Sequence, residues 1–383
     1  MTVHSSNTLN LDLAVAGGGI MGLACALEAA TRGRRVAVFA PRSITGAAEG
    51  SASWAAAGIL VTRDARVFHS PFREFYVRSI HSYPAWLDRL AALTSRKVPL
   101  HRHGDYLVFD LDAPGAQAQL DARRSQWDRE HARAYTESEE LPAFLRDHSP
   151  LERVKVFHFP GEAYVQNRDL LETLRAACEG QGVQFVETTL RGPWEHRAGF
   201  TEGRTATGTF RARQVLVAAG TWTAPLLESL GITAPLVPVK GQMIRIPRFH
   251  SSPSLVHYGE EIYLVPRGDT LIVGATTEPG VWRDGYDEVG EAYLGRHLDR
   301  FLPKVAKGPV ETWSGLRPRT RDRLPWMGWL DASRGWALCA GHYKCGISMA
   351  PLAAESMVSL LEGNRPPVDL QAFDPWRKKG LKK

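Results

Sequence analysis

The segment LDLAVAGGGIMGLACALEAATRGRRVAVFA, residues 11–40, constrains the fold more than any other stretch. A short apolar strand, Leu13 to Ala16, runs into Gly17-x-Gly19-x-x-Gly22; an alanine-rich helix follows, Gly33 ends it, and Val36 to Phe39 reads as a second strand. Such a β-α-β unit lets a nucleotide's pyrophosphate approach the backbone where the unpaired N–H groups and dipole of a helix N-terminus favour anions. An acid that binds the ribose hydroxyls usually follows about 20 residues after the glycines. Here Ala40, Pro41 and Arg42 stand instead. Losing that contact costs about 1–3 kcal/mol, which a ligand with other anchors can absorb, and Arg42 is expected to reach the adenosine side. The glycines alone leave the nucleotide open: Arg42 would suit the 2′-phosphate of NADP, and Ala40 could also mark a decayed site.

With 383 residues the chain has room for two or three domains, interleaved or not. Small residues in AEGSASWAAAGIL, 48–60, allow close approach to a ligand. Residues 71–95 carry a helical period, GDYLVFD (104–110) reads as a strand, and 117–140 as an exposed charged helix. An amphipathic helix after Val165, capped by Asn167 or Asp169, leads into another strand. The apolar strand Val215 to Ala218 ends in Ala219-Gly220, as a buried parallel strand does at a ligand. From Pro238 to Thr277 the pattern turns to short strands and turns, an antiparallel sheet. Trp336 to Leu361 then reads strand, glycine turn, helix.

Hydrophobic residues make up 44% and charged residues 23%, which excludes a disordered or fibrous chain. No apolar run approaches the roughly 20 residues of a membrane span. Little chain precedes the first strand, so no cleavable signal is expected. The four cysteines, Cys25, Cys178, Cys339 and Cys345, lack metal-site spacing, and a cytoplasmic location is expected. Cys339 and Cys345 are close enough in sequence to raise the question of a redox pair. The net charge of +6 is spread without a basic, aromatic-studded stripe, so no nucleic-acid partner is expected. Only the tail PWRKKGLKK concentrates it, and a frayed, solvated end is the expectation.

The order of these pieces resembles the D-amino acid oxidase-like flavoenzymes. The segments GGGIMGL, SASWAAAGIL, VKGQM, YLVPRGDTLIVGATTEPG, WSGLRPRTRDRLPWMG and GHYKCGISMAP, which span most of the chain, narrow the likeness to the glycine oxidase branch, including the thiamine-pathway oxidase. The resemblance implies an α/β architecture: a Rossmann-like FAD-binding domain (1–85, 150–225 and 310–375), a discontinuous α+β substrate domain on a mostly antiparallel sheet (86–149 and 226–309), and a basic tail (376–383). It also implies FAD, an amine or amino acid substrate and O2, no metal, and an open oligomeric state.

Expected cofactor contacts are Gly17, Gly19, Ile20, Met21, Gly22, Arg42, Ser53, Trp54, Ala55, Ala56, Ala57, Gly58, Ala219, Gly220, Trp222, Arg317, His342, Tyr343, Lys344, Gly346 and Ile347. Arg317 matches the family's carboxylate-binding arginine, whose planar fork offers two parallel hydrogen bonds, and Tyr263 matches the tyrosine beside it. Lys344 stands where the branch has Arg, and Cys345 where it has Asn. Lysine offers a point charge, so the second carboxylate contact is expected to weaken. Thr277 replaces a bulkier apolar residue, which suits a larger or more polar substrate. Trp54 is read as flavin packing or ordinary core. His69, His342 and Lys240 are read as proton or oxygen partners, or as structural residues.

The expected reaction takes a hydride from Cα to the flavin, hydrolyses the imine to a 2-oxo acid and reduces O2 to H2O2. No catalytic base is needed if the substrate enters as the neutral amine. A dehydrogenase serving a quinone or partner subunit, a tailoring oxidase of a specialised amine, and a non-catalytic flavoprotein subunit remain as alternatives.

Overall fold

The computed structural model describes residues 8–41, 50–63, 70–129, 135–205, 208–305 and 308–382. Five parallel strands form the heart of the first sheet, in the order Gln184–Glu187, Val36–Ala40, Thr8–Ala16, Gly208–Val217 and Trp336–Ala340. Val36–Ala40, Trp336–Ala340 and the C-terminal ends of Thr8–Ala16 and Gly208–Val217 are continuously apolar and buried, as in a sheet covered on both faces. Leu23, Leu27, Leu174, Met349 and Ala353, from the helices Ile20–Thr31, Asn167–Gly180 and Gly346–Leu361, fill one side. Phe39, Phe210, Val217, Trp326 and Trp336 fill the other.

Helix Gly346–Leu361 carries Pro351, whose missing N–H cannot reach the Ile347 carbonyl one turn back. The hydroxyl of fully buried Tyr83 donates to that oxygen at 2.5 Å instead. The proline therefore leaves no orphaned acceptor there.

The second sheet has nine strands. Leu236–Pro247 runs through it, pairing with Glu311–Thr320 on one side and Thr270–Gly274 on the other. Beyond Thr270–Gly274 come Ile262–Arg267, Leu255–Tyr258, Asp105–Asp110, Val154–Phe159 and Thr136–Ser138. All of these pairs are antiparallel except Leu255–Tyr258 with Asp105–Asp110. One face packs Val256, Leu264, Val273 and Ile244 onto Leu294, Leu298 and Phe301 of helix Glu288–Phe301. The opposite face looks toward the first sheet.

The chain crosses between the sheets at points other than those expected. Val154–Phe159 and Glu311–Thr320, assigned above to the nucleotide-binding segments, are strands of the second sheet. Alternating apolar residues define a strand but not its neighbours, and both strands take partners far away in sequence.

Local differences have local causes. The period over 71–95 splits into Ser70–His81 and Tyr83–Thr94, because Pro84 fits only the first turn of a new helix. The span 117–140 holds helix Ala116–Arg129 and, after undescribed residues, strand Thr136–Ser138. That helix is not wholly exposed: Trp127 is buried among Tyr135, Phe157 and Phe159. The basic tail docks rather than frays, with Arg377 forked onto Asp322 at 2.8 and 2.9 Å and Lys382 bridged to Thr233. No helix among the described residues is long and apolar enough to cross a membrane.

Candidate active site

Between the sheets lies a cavity of about 1640 Å³. Single small-molecule pockets usually hold about 300–1,000 Å³, so this one has room for a large cofactor and a substrate together. Its nucleotide end is made by backbone. Gly17 has φ +115°, and a Cβ there would stand 2.4 Å from the Ala218 carbonyl oxygen. A Cβ on Gly22 would stand 1.9 Å from the Gly17 oxygen. Only glycines let helix Ile20–Thr31 begin so close to the strand ends. Its N-cap, Gly19, has no side-chain cap and its first turn no acid, so the positive end of the helix dipole stays open to the cavity.

The loop of small residues is clamped from three sides. Ser53 Oγ accepts the Ile20 N–H at 3.0 Å, and Trp313 Nε1 donates to the Ala55 carbonyl at 3.0 Å. Asn167 does not cap its helix. Its amide donates to the carbonyls of Ser53 and Trp54 at 2.9 and 2.8 Å, an exchange of a local cap for a long-range clamp.

A turn at His342–Cys345 closes the cavity. Tyr343 takes φ +50° and its N–H donates to the Pro318 carbonyl at 2.9 Å, which places the uncapped N-terminus of helix Gly346–Leu361 at the wall. His342 is buried, and its Nε2 has no partner among the described residues although the residue faces the cavity. Its ring also bonds Cys339. The buried Cys25 thiol, and then His342, hold the Cys339 thiol below its usual range, while Cys25 is pushed up. The partner of Cys339 is thus Cys25, not Cys345.

Across the cavity the second sheet presents side chains. A Cβ on Gly241 would stand 2.0–2.2 Å from three guanidinium atoms of Arg317, so that planar group lies flat where the strand has no side chain. Arg317 Nη1 donates to the Thr276 carbonyl at 3.0 Å. Tyr263 lies over Gly274 in the same way, where a Cβ would stand 2.5 Å from its hydroxyl. Burial pushes the Tyr263 hydroxyl up, with Arg317 pulling against it, so the group remains a neutral donor at ordinary pH. Tyr263 is the direct cross-strand partner of His257, and both line the cavity.

The cavity wall gathers Gly17, Gly19, Ile20, Met21, Ser53, Ala55, Ala56, Ala57, Gly58, Ala219, Gly220, Trp222, Tyr263, Thr277, Arg317, His342, Tyr343, Lys344, Gly346 and Ile347. Three expected residues are not on it. Gly22 acts behind the wall. Trp54 turns away, with the Arg168 guanidinium 3.6 Å from its ring centroid and Trp313 at its edge, because a cation and an indole there give it an alternative partner. Lys240 is fully buried with Nζ 2.5 Å from Asp287, the residue that caps helix Glu288–Phe301, so its charge is spent on that ion pair. Arg42 and His69 lie outside the described residues. Among the described residues no group could hold a metal ion.

Sequence reading missed a polar cluster beside Tyr263. His257 Nδ1 is 2.8 Å from Asp105, which also pairs with Arg63. The available signal was an acid beginning the apolar row Asp105, Leu107, Phe109 on one strand face.

This site fits a dinucleotide flavin. Two open helix N-termini suit the pyrophosphate and a reduced ring's negative charge, the glycine cradle admits no side chain, and the buried, unpartnered His342 Nε2 needs a ligand atom. Residues 12–360 match the family model described as FAD dependent oxidoreductase. The chain belongs to this family, and its cofactor is FAD. It is 30% identical over 378 residues to the glycine oxidase of Geobacillus kaustophilus, covering 96% of this chain and 97% of that one. The crystal structure of glycine oxidase from that organism superposes with a TM-score of 0.87 at 26% identity, over 97% of this chain and all of that one. The bifunctional protein ThiO/ThiG of Synechocystis is 31% identical over 377 residues, covering 96% of this chain. The chain spans only about half of that relative's length, 54%.

Proposed function

We propose that this protein is an FAD-dependent oxidase of a small primary or secondary amino acid, glycine being the smallest. The observation that carries the reading is the pair Arg317 and Tyr263, laid over Gly241 and Gly274 on the wall opposite the nucleotide end. The Arg317 fork takes the substrate carboxylate with two charged hydrogen bonds, and the Tyr263 hydroxyl donates a third. Fixing that end restricts how Cα can be presented, which is an orientation effect. The cavity between the two walls would hold FAD, which would supply the redox chemistry: a hydride taken from Cα, and two electrons and two protons delivered to O2 to give H2O2.

The residues around the turn supply the electrostatics. Backbone N–H groups at Gly346 and Ile347, at a helix start without an acid, face negative charge on the cavity side. Lys344 adds a cation without Arg's fork. The imine product leaves as the carboxylate contact is released and is hydrolysed to the 2-oxo acid. Cys25, Cys178, Cys339 and Cys345 are all thiols.

The test is an anaerobic visible titration of the purified holoprotein with glycine, sarcosine and D- and L-amino acids. Bleaching of the flavin band by at least one of them supports the reading. A flavin that stays oxidised with all of them overturns it. Turnover with O2 exceeding that with an artificial dye is expected; the reverse would make the protein a dehydrogenase.

A further inference from the structure

The reaction described above uses Arg317 and Tyr263 and leaves the neighbouring part of the wall without a task. There His257 presents a ring edge to the cavity, its side chain 14% exposed, while its Nδ1 is held at 2.8 Å by Asp105. Asp105 is 0% exposed and does not reach the cavity. Arg63, 2% exposed, pairs with the other carboxylate oxygen and does line the cavity. Behind Arg63, Glu162 accepts the backbone N–H groups of Thr62 and Arg63, at 2.7 and 2.9 Å, and is also buried away from the cavity. At His257 and Arg63 the wall therefore shows nitrogen groups, and Asp105 and Glu162, the acids against them, lie beneath it.

Holding a buried arginine and aspartate together costs desolvation that packing with apolar residues would avoid. A cluster of this kind needs a use. Burial works to raise the Asp105 carboxyl, but Arg63 and then His257 outweigh it and hold it ionised. The Asp105 carboxylate on Nδ1 fixes the ring's orientation and leaves Nε2 facing the cavity, where a carboxylate would bind together with a proton shared with Nε2.

Glu260, Glu261 and Arg123 also line the cavity near this part of the wall, and an arginine stands beside each of the two acids. Glu260, whose side chain is 74% exposed, is engaged by Arg123. Glu261 lies 4.0 Å from Arg300. The other wall residues here, Leu107 and Phe109, are apolar.

Position decides what this edge can read. Across the sheet the partners run Leu107, His257, Tyr263, Gly274, Met243. The Tyr263 hydroxyl lies over Gly274, away from His257, whose ring centroid is 5.8 Å from that of Tyr263. A carboxylate at the Tyr263 hydroxyl and Arg317 thus has the length of a phenol ring between it and His257. Glycine cannot span that.

We propose that His257, positioned by Asp105 and backed by the Arg63 charge, is a specificity-determining residue that receives a second carboxylate of the substrate, carried on its side chain or on its nitrogen. This rests on the amino acid oxidase reading and names the substrate class for the same site. A dicarboxylate spans the Tyr263 ring, with one acid on Arg317 and the other on Nε2.

The test compares anaerobic flavin reduction by matched pairs that differ in the second acid: aspartate against alanine and asparagine, and N-carboxymethylglycine against sarcosine. The wild-type kcat/KM should favour the dicarboxylate, and His257→Gln should lower that preference by roughly 10- to 100-fold, the worth of a charged hydrogen bond. A wild-type enzyme that prefers the monocarboxylate partners overturns the proposal, as does a preference that His257→Gln leaves in place. Should His257→Gln not fold, the wild-type holoprotein decides alone: succinate should perturb the flavin spectrum at roughly tenfold lower concentration than butyrate, and equal or weaker binding overturns the proposal. If no amino acid of any kind reduces the flavin, the oxidase reading itself has failed, and the succinate and butyrate titrations still settle the anion subsite.

Discussion

Beside the nucleotide helix, Gly17 and Gly22 bring backbone against backbone; across the cavity, Gly241 and Gly274 bring the ends of side chains against backbone. In the function proposed here the first wall binds through N–H groups and a helix dipole, and should tolerate changes of side chain such as the missing acid at Ala40. The second wall, in the same proposal, binds through Arg317 and Tyr263 and should depend on whatever lets those groups lie flat. One residue type therefore has two kinds of consequence when replaced. Steric replacement on the first wall should damage the fold and cofactor binding, whereas on the second it should damage substrate recognition and leave the flavin in place.

The largest effect is expected from Gly22→Ala. Its methyl would meet a carbonyl oxygen at 1.9 Å, an atom that cannot rotate aside, so the helix must move off the strand that positions it. Overpacking usually costs about 1–3 kcal/mol and more where backbone has to shift. The variant should purify without flavin and fail to take it up on reconstitution; yellow protein with full flavin content would show that the helix start is more forgiving than the geometry states.

Next in size is the anchor of the second wall. Asp287→Asn leaves the Lys240 ammonium, wholly buried, with an acceptor but without its counter-charge; Asp287 is partly exposed, so the loss should fall below the about 3–5 kcal/mol of breaking a fully buried pair. Holoenzyme denaturant melts should show the loss. Lys240, and after it Gln242, hold the Asp287 carboxyl well below the usual carboxylate range. A lowered carboxyl contributes stability above its unfolded value of about 4 and loses it as pH falls through the folded value. Below about pH 4 the wild type should lose stability more steeply than Asp287→Asn. Parallel acid limbs would mean that the ion pair does not anchor the wall.

How much of this was legible in the sequence follows the same division. Leu13 to Ala16, Gly33 and the helix between them declare the first wall within some thirty neighbouring residues, because strand, turn and cap obey local rules. The second wall is assembled from distant pieces. Nothing near Asn167 says that its amide will clamp Ser53, 114 residues away, rather than cap its own helix. Nothing near His257 announces Asp105, 152 residues away. Arg317 and Tyr263 were singled out through resemblance alone; the glycines beneath them are visible only once strands pair.

A smaller effect, confined to recognition, is expected from Arg317→Ala: a roughly 10- to 150-fold loss in kcat/KM, from about 1.5–3 kcal/mol for a charged hydrogen bond, appearing mainly in KM. Gly241→Ala should reproduce much of that loss with the flavin retained, because its methyl displaces only the end of a flexible side chain. Flavin loss in Gly241→Ala would erase the distinction between the two walls.

The smallest effect sharpens the comparison most. Tyr263→Phe removes one of the three hydrogen bonds to the carboxylate, about 1.5 kcal/mol, or roughly 12-fold in kcat/KM. Gly274→Ala should cost at least as much, since its methyl would meet both the hydroxyl and the ring carbon that bears it, at 2.5 and 2.6 Å. Because the ring carbon is part of the clash, Tyr263→Phe should not relieve it, but Tyr263→Ala should relieve most of it, leaving only the flexible Met243 side chain, whose Cγ would stand 2.8 Å from the methyl. A double-mutant cycle is decisive here: Gly274→Ala should lower kcat/KM in the wild-type enzyme and have little effect in the Tyr263→Ala variant, a coupling that residues acting separately would not show. Additive losses would mean that Gly274 serves the strand rather than the tyrosine, and the second wall would then use its glycine as the first one does.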